Sequence, residues 1–316
     1  SVYKGVLEDG RSIAVKRLDE MTQADEVFRS ELSVIGRINH MNLVRIWGFC
    51  SEHPHRLLVS EFVENGSLDR ALFDGDDGED NTGVVLPWRS RYKIAVGVAK
   101  ALAYLHHECL EWIVHCDVKP ENILLDGDFE PKVTDFGLVK LLSREAGSHM
   151  ALSRVQGTRG YIAPECWTVG RSINGKADVY SFGVVLLELV RGQRVCDWVA
   201  AAATADGAWN VQRLAAWLKE KLKCDDGELP AWLEELVDAR LRGDFNHVQA
   251  AGLLELAVSC VDGEPSRRPS MSTVVHKLIS LDTIEHHLYA THELAANAAV
   301  VGLVGDVGGH QLRLPC

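Results

Sequence analysis

Polar residues of the types that bind a metal ion and a phosphate group are concentrated around the middle of the chain. Residues 115–122 read HCDVKPEN, Asp135-Phe136-Gly137 and Ala163-Pro164-Glu165 follow, and Lys16 and Glu31 lie upstream. Carboxylate and amide oxygens are hard ligands suited to Mg²⁺. Phosphoryl transfer requires such ligands, cations that clamp the phosphates and a carboxylate that orients the acceptor. All of these residue types are present.

Each motif alone is common by chance, so the weight lies in their order and spacing, which resemble the signature set of eukaryotic protein kinases. The resemblance covers residues 1–285. The segments GFCSEHPHRLLVSEFVENGSLDR, HCDVKPENILLD and GTRGYIAPE are similar to plant receptor-like kinases of the S-locus (S-domain, G-type lectin) class. This resemblance implies an α+β, bilobal protein kinase fold with a β-rich N-lobe (1–63), a helical C-lobe (64–285) and a variable tail (286–316).

The resemblance also implies roles for four polar residues of the middle region. Asp117 would accept the proton of a Ser or Thr hydroxyl on a protein substrate, and Lys119 would neutralise charge on the transferred phosphate. Asn122 and Asp135 would hold Mg²⁺ or Mn²⁺. The expected activity is therefore that of a serine/threonine kinase using ATP, because Lys119 follows the Ser/Thr pattern.

The expected ATP site draws on both lobes. Lys16, held by an ion pair with Glu31, would grip the α and β phosphates. The residues expected to line the ATP site are Val2, Ala14, Lys16, Glu31, Glu61, Val63 and Leu124. Two alternative interpretations remain open. In the first, Glu31 is only a surface charge of an amphipathic helix; in the second, the apolar residues expected to line the ATP site are ordinary core residues.

Further matches concern the scaffold and are again implied by the resemblance. Asp178 would brace the catalytic loop, and Glu165 would pair with Arg268. Such a pair is costly to break on one side, by roughly 3 to 5 kcal/mol. Four residues match the stacked spine of the family, although a plain core predicts nearly the same burial: Ile35, Ile46, His115 and Phe136.

Hydrophobic periodicity predicts the elements that position these residues. Apolar alternation predicts strands around Val2–Leu7 and Ser12–Lys16, with a turn at Glu8-Asp9-Gly10. A period near 3.6 predicts a helix over Asp25–Ile38. Further strands are expected at 43–49 and 56–63, and helices at 90–107, 178–191, 248–260 and 271–281. The apolar helix at 178–191 should be a buried axis.

Two positions depart from the family pattern. Cys116 stands before Asp117, where many kinases have an Arg that pairs with a phosphate on the activation segment. A neutral thiol cannot make that contact, so activity should not strictly require phosphorylation of Ser143, Ser148, Ser153 or Thr158. Ser60 stands where a bulky residue is common, which should open the space behind adenine.

A third departure concerns the phosphate-covering loop. Only the last part of the Gly-rich loop, Ser1 to Gly5, is present. Its backbone amides would otherwise surround the phosphates, so this chain is expected to bind ATP weakly. Two functions therefore stay open: an active Ser/Thr kinase, and a truncated kinase or pseudokinase that acts as a binding scaffold.

The composition of the chain limits the kinds of partner that it is expected to bind. The 316 residues carry a net charge of −12, which argues against nucleic-acid binding, because that needs clustered Lys and Arg. Eight cysteines without zinc-type spacing are expected to be reduced, mostly buried thiols. No run of apolar residues is long enough for a membrane-spanning helix.

The resemblance implies a place on the cytosolic face of the plasma membrane, as part of a single-pass receptor with receptor partners. The chain itself is expected to be soluble and cytoplasmic.

Competing motifs fail on inspection. Gly170 to Lys176 has P-loop spacing, but Ala177 replaces the Ser or Thr that reaches Mg²⁺. His292-Glu293 begins like a zinc-protease motif, yet Ala296 stands where the second His belongs. The acidic run 74–83 does not fit a calcium-binding loop and is expected to be a surface insertion. Residues 295–316 are expected to form a weakly ordered extension.

Overall fold

The computed structural model describes residues 1–18, 24–52, 55–73, 85–142, 150–151, 157–167, 172–201, 210–223 and 231–283. Several predicted features lie outside these ranges: the acidic insertion at 74–83, the whole tail at 286–316, and positions 143, 148 and 153 of the activation segment.

A four-stranded antiparallel sheet forms the N-terminal part of the chain. Its strands are β1 (Val2–Val6), β2 (Ser12–Arg17), β3 (Ile46–Cys50) and β4 (Leu57–Glu61), in the order β1-β2-β4-β3. The predicted turn after β1 is confirmed: Gly10 adopts φ 84°, and Leu7 N–H donates to the Arg11 carbonyl. β3 starts three residues later than predicted, because Leu43 instead bridges Val133.

One helix, α1 (Ala24–Val34), packs beside this sheet. Phe28, Glu31 and Val34 are buried at a spacing of three and so share one face. The prediction that the helix continues to Ile38 was wrong. It stops before Gly36, whose φ of 76° lies in the left-handed region that ends helices.

The remaining part of the chain is mainly helical. Its helices are α2 (Leu68–Phe73), α3 (Trp88–Ala103), α4 (Lys176–Arg191), α5 (Val195–Ala201), α6 (Val211–Lys223), α7 (Ala231–Leu236), α8 (His247–Cys260) and α9 (271–283). α3 ends earlier than predicted, because residues 104–108 form a wider π-type turn. The α+β class, with a small β-rich part and a larger helical part, is confirmed.

Helix α4 is the buried axis that its apolar sequence predicts. Every residue from Ala177 to Val190 is buried. Gly183 allows α8 to approach closely, since a Cβ there would lie 2.7 Å from Cys260 Cβ. Gly192, with φ 68°, ends the helix and donates its N–H to the Glu188 carbonyl.

Short strand pairs shape the region between α3 and α4. β5 (Trp112–Val114) pairs with β8 (Lys140–Leu142), β6 (Ile123–Leu125) with β7 (Pro131–Val133), and β9 (Met150–Ala151) with β10 (Ser172–Ile173). The loop 115–122 joins β5 to β6, and the loop 134–139 joins β7 to β8. The two loops therefore lie side by side.

The helices and the cysteines can be compared with what the sequence predicts about membrane spans and disulfides. Within the described ranges, no helix has both the length and the apolar character that crossing a bilayer demands. The six described cysteines are free thiols, of which Cys109, Cys166 and Cys260 are buried.

Candidate active site

Asp178, at the start of α4, fixes the backbone of the loop 115–122. Its carboxylate accepts hydrogen bonds from the backbone N–H groups of His115 and Cys116, both at 2.8 Å, and faces His106 Nε2 at 2.8 Å. The side chain is completely buried. Although burial opposes it, the bond to His106 keeps the pKa of Asp178 below its ordinary value. An ionised carboxylate thus anchors the loop.

Cys116 sits in a strained part of this loop. Its φ of 68° lies in the left-handed region, which costs a non-glycine residue energy and is typical of functional loops. Burial, and then the charge of Asp178, raise the pKa of the Cys116 thiol well above its ordinary value. The thiol is therefore neutral and cannot pair with a phosphate as an Arg would.

His115 connects the two loops. Its Nδ1 accepts from the Asp117 backbone N–H at 3.2 Å, and its Nε2 lies 2.9 Å from the Thr134 carbonyl. The ring packs against Phe136 with centroids 5.2 Å apart, and both residues are buried. Of the other two predicted spine residues, Ile46 packs against the main core and Ile35 is half-buried. The spine and plain-core interpretations agree with this burial equally.

Asp117 is the centre of a bonded polar cluster. Its Oδ1 accepts from Thr158 Oγ1 at 2.7 Å, and its Oδ2 lies 2.9 Å from Lys119 Nζ and 3.0 Å from Asn122 Nδ2. Lys119 Nζ also donates to Thr158 Oγ1 at 2.6 Å. Three of these four side chains come from the loop 115–122, and Thr158 comes from the segment 157–167.

A second cluster joins the sheet, α1 and the loop 134–139. Lys16 Nζ lies 2.9 Å from Glu31 Oε1 and 2.8 Å from Asp135 Oδ1. Glu31 is only 3% exposed, so its interpretation as a surface charge was wrong. Although burial opposes both effects, the two carboxylates raise the pKa of Lys16, and Lys16 lowers the pKa of Asp135. Burial raises the pKa of Glu31.

The donor chemistry of Asn122 and Asp135 fits a divalent cation. Asn122 Nδ2 faces two acceptors, the carbonyl and the Oδ2 of Asp117. That contact identifies the nitrogen of the amide, which leaves Oδ1 as the atom able to bind a cation. Asp135 is held as an ionised carboxylate and is 37% exposed. Both are oxygen ligands of the kind Mg²⁺ prefers.

The residues expected around adenine lie on four strands, β1, β2, β4 and β6, and on the segment that follows β4. Ala14 in β2 is paired with Ser60 in β4, Leu124 lies in β6 and bridges Ser67, and Val63 is buried. Val63 N–H has no hydrogen-bond partner among the described residues. Val2 is 67% exposed on β1, so the structure does not enclose it with the others.

Glu61, expected to meet adenine through its backbone, is already engaged. Its N–H donates to the Arg45 carbonyl at 3.0 Å, and its carbonyl accepts from Ser60 Oγ at 3.2 Å. The Glu61 carboxylate accepts from Arg45 N–H and pairs with Lys132 at 3.1 Å. The carbonyl keeps a second lone pair for a ligand.

We predict that the small side chain of Ser60 makes the site sensitive to bulky purine analogues, and the variant Ser60→Tyr tests this. We expect an analogue carrying a large group behind adenine to lose at least about tenfold in potency against Ser60→Tyr, because overpacking costs 1 to 3 kcal/mol. Ser280→Tyr, on the exposed face of α9, is the matched control. Equal potency against all three proteins would contradict the prediction.

One buried polar group near the loop was missed by sequence reasoning. Glu188 in α4 accepts from the Tyr161 hydroxyl at 2.9 Å and from Val195 N–H at 3.1 Å. Arg194 donates to the same hydroxyl and pairs with Glu121 at 2.7 Å. Burial raises the pKa of Glu188 to about 7. This group ties the segment 157–167 to the loop 115–122, and only a long-range contact could have shown it.

Comparison with known proteins gives one family and several similar chains. The protein kinase domain family matches residues 1–279. A protein of Zea mays named as a receptor protein kinase is 56% identical over 282 residues, which are 89% of this chain and 33% of that protein. Two proteins of Arabidopsis thaliana named G-type lectin S-receptor-like serine/threonine-protein kinases are 45% and 43% identical over 279 residues, 88% of this chain and 32% of each. The chain therefore spans about a third of these relatives.

Proposed function

Because the chain belongs to the protein kinase domain family, we propose that it transfers the γ-phosphate of ATP to Ser and Thr hydroxyls of protein substrates. The observation that carries this proposal is the bonded cluster of Asp117, Lys119, Asn122 and Thr158. In that cluster the Lys119 ammonium and the Asn122 amide both contact the same oxygen, Oδ2, of the Asp117 carboxylate. The two lobes are proposed to be residues 1–63 and 64–285.

The proposed mechanism assigns one task to each polar residue. Asp117 orients the acceptor hydroxyl and takes its proton, and Lys119 holds the phosphate that is transferred. Lys16, oriented by Glu31, holds the α and β phosphates. Asn122 and Asp135 would hold Mg²⁺, which when bound neutralises charge on the phosphate oxygens. The adenine would lie between Ala14 and Leu124.

The proposed preference for Ser and Thr rests on the contact between Lys119 and Thr158. Both side chains bond to each other and to Asp117, so the segment 157–167 lies directly beside the base. Phosphoamino-acid analysis of a mixed peptide library after reaction with labelled ATP tests the preference. We expect label on Ser and Thr, and label mainly on Tyr would contradict the proposal.

The scaffold alternative gains no support from these observations. Each of the six polar residues proposed for the reaction is present, and each is bonded to at least one other of them. A binding scaffold requires none of these contacts. The kinase proposal therefore accounts for more of the molecule.

The location proposed for the chain comes from its relatives. Since the similar proteins are named receptor kinases, we propose that the chain acts as the kinase part of a receptor at the cytosolic face of the plasma membrane. Its substrates there would be proteins that carry Ser or Thr. Detection of the native protein in plasma-membrane fractions tests this location.

The neutral thiol of Cys116 predicts that activity does not depend on phosphates in the activation segment. We expect the triple variant Ser143→Ala, Ser148→Ala, Ser153→Ala to keep its transfer rate within about twofold, since no cation before Asp117 receives a phosphate. Thr158 is left unchanged because it bonds to Asp117. Loss of transfer by a folded triple variant would contradict this prediction.

A further inference from the structure

A cavity of about 180 Å³ lies away from the clusters described above. It is bounded by strands β5 and β8, the start of α4 and the start of α9. Its walls are largely apolar and include Ile113, Val114, Leu142, Val179 and Met271. An apolar cavity of about 150 Å³ can hold benzene, so this one has room for a single aromatic ring or a short aliphatic chain.

One wall of the cavity carries a lysine that pairs with no carboxylate of the described part of the chain. Lys176 lines the cavity, and its Nζ donates to the carbonyl of Arg268. Among the described residues no carboxylate pairs with Lys176, whereas the neighbouring Arg268 guanidinium is matched by Glu165. Burial and the Arg268 charge lower the pKa of Lys176, so an anion beside it would be stabilising. The charge of the wall is therefore complementary to an acid.

Another wall is directly connected to the catalytic loop. His106 lines the cavity, and its ring lies against Gly175, where a Cβ would come within 2.9 Å of Nδ1. Its Nε2 lies 2.8 Å from Asp178 Oδ2. Asp178 in turn accepts from the backbone N–H groups of His115 and Cys116. Two side chains thus separate the cavity from the loop that carries Asp117.

We propose that this cavity binds a small aromatic or short aliphatic carboxylate, whose apolar part packs among Ile113, Leu142 and Met271 and whose carboxylate pairs with Lys176. Occupancy is coupled to the loop 115–122 through His106 and Asp178. Both the binding site and its coupling to the loop stand independently of the proposed kinase function.

Calorimetric titration of the whole chain with benzoate tests the site. We expect saturable binding, at least about tenfold weaker binding of benzyl alcohol and at least about tenfold weaker binding of benzoate to Lys176→Met, because each change removes the charge-assisted hydrogen bond between the carboxylate and Lys176. Lys277→Met, an exposed lysine of α9, should bind like the unmodified chain. Leu142→Trp should abolish binding by filling the cavity.

Several outcomes overturn the binding site. These are the absence of saturable benzoate binding up to about 10 mM, equal binding of benzyl alcohol, and unchanged binding to Lys176→Met. If Leu142→Trp does not fold, the comparison of Lys176→Met with Lys277→Met decides alone. None of these measurements requires catalytic activity, so failure of the kinase proposal would not be confused with failure of this one.

Hydrogen exchange tests the coupling. Benzoate should slow exchange of the His115 and Cys116 amides, which bond to Asp178, in the unmodified chain and in Lys277→Met but not in Lys176→Met. Unchanged exchange at both amides, with benzoate bound, would overturn the coupling and leave the binding site in place.

Discussion

We expect that replacing Asp117 with Asn will lower the rate of phosphate transfer by about two to four orders of magnitude while the protein remains folded. The two side chains have nearly the same shape, but an amide cannot accept the proton of the substrate hydroxyl. The amide NH₂ would also replace one of the two carboxylate oxygens, so Asn cannot accept both of the bonds that Asp117 now receives on separate oxygens from Thr158 and Asn122. The measurement is kcat for a Ser-containing peptide at saturating ATP, together with the thermal unfolding midpoint.

Asp128→Asn is the matched control for this experiment. Asp128 is exposed in the turn between β6 and β7, eleven residues from Asp117, and receives the same chemical change. We expect its rate and its unfolding midpoint to equal those of the unmodified chain. A rate for Asp117→Asn that equals that of Asp128→Asn would remove Asp117 from the proposed mechanism.

The second large effect concerns stability and the pair Glu165–Arg268. Arg268 Nη1 and Nη2 donate to the two carboxylate oxygens of Glu165 at 2.7 and 2.8 Å, and both side chains are buried. Arg268 also donates to the carbonyls of Asp262 and Lys176. Arg268→Met leaves the Glu165 carboxylate buried without a partner, so we expect a loss of about 3 to 5 kcal/mol in the free energy of unfolding.

The neighbouring residue is the control for this loss. Arg267 is exposed, and a surface substitution there should change the free energy of unfolding by no more than about 0.5 kcal/mol. Denaturant unfolding of Arg268→Met, Arg267→Met and the double variant Glu165→Gln, Arg268→Met measures both effects. The double variant should lose less than Arg268→Met, because no buried charge is left unpaired. Equal losses for Arg267→Met and Arg268→Met would refute the prediction.

Much of the scaffold follows from local sequence because strong periodicity leaves little choice. The apolar run of α4 has no polar face, so it must be surrounded by other elements, and every residue from Ala177 to Val190 is buried. The turn at Gly10 follows from the need for a positive φ between two alternating segments. The pairing of Glu165 with Arg268 came from motif resemblance rather than periodicity.

Other parts could not be derived from local patterns. Strands β5 and β8 have three residues each, which is too few for an alternation signal to appear. The support of Asp178 by His106 joins residues 72 positions apart, and the path of the chain between them is set by tertiary packing. The burial of Glu31 is a similar case, since the acidic residues of α1 differ in exposure only once the helix is packed on the sheet.

The central claim is that Lys16, Asp117, Lys119, Asn122 and Asp135 together transfer phosphate. The most direct test measures transfer of labelled γ-phosphate from ATP to a Ser-containing protein by the chain and by its Asp135→Asn variant. We expect clear labelling by the chain and a loss of at least about two orders of magnitude in Asp135→Asn, because the proposed metal ligand is neutralised. Labelling by the chain that cannot be distinguished from that of Asp135→Asn would contradict the claim.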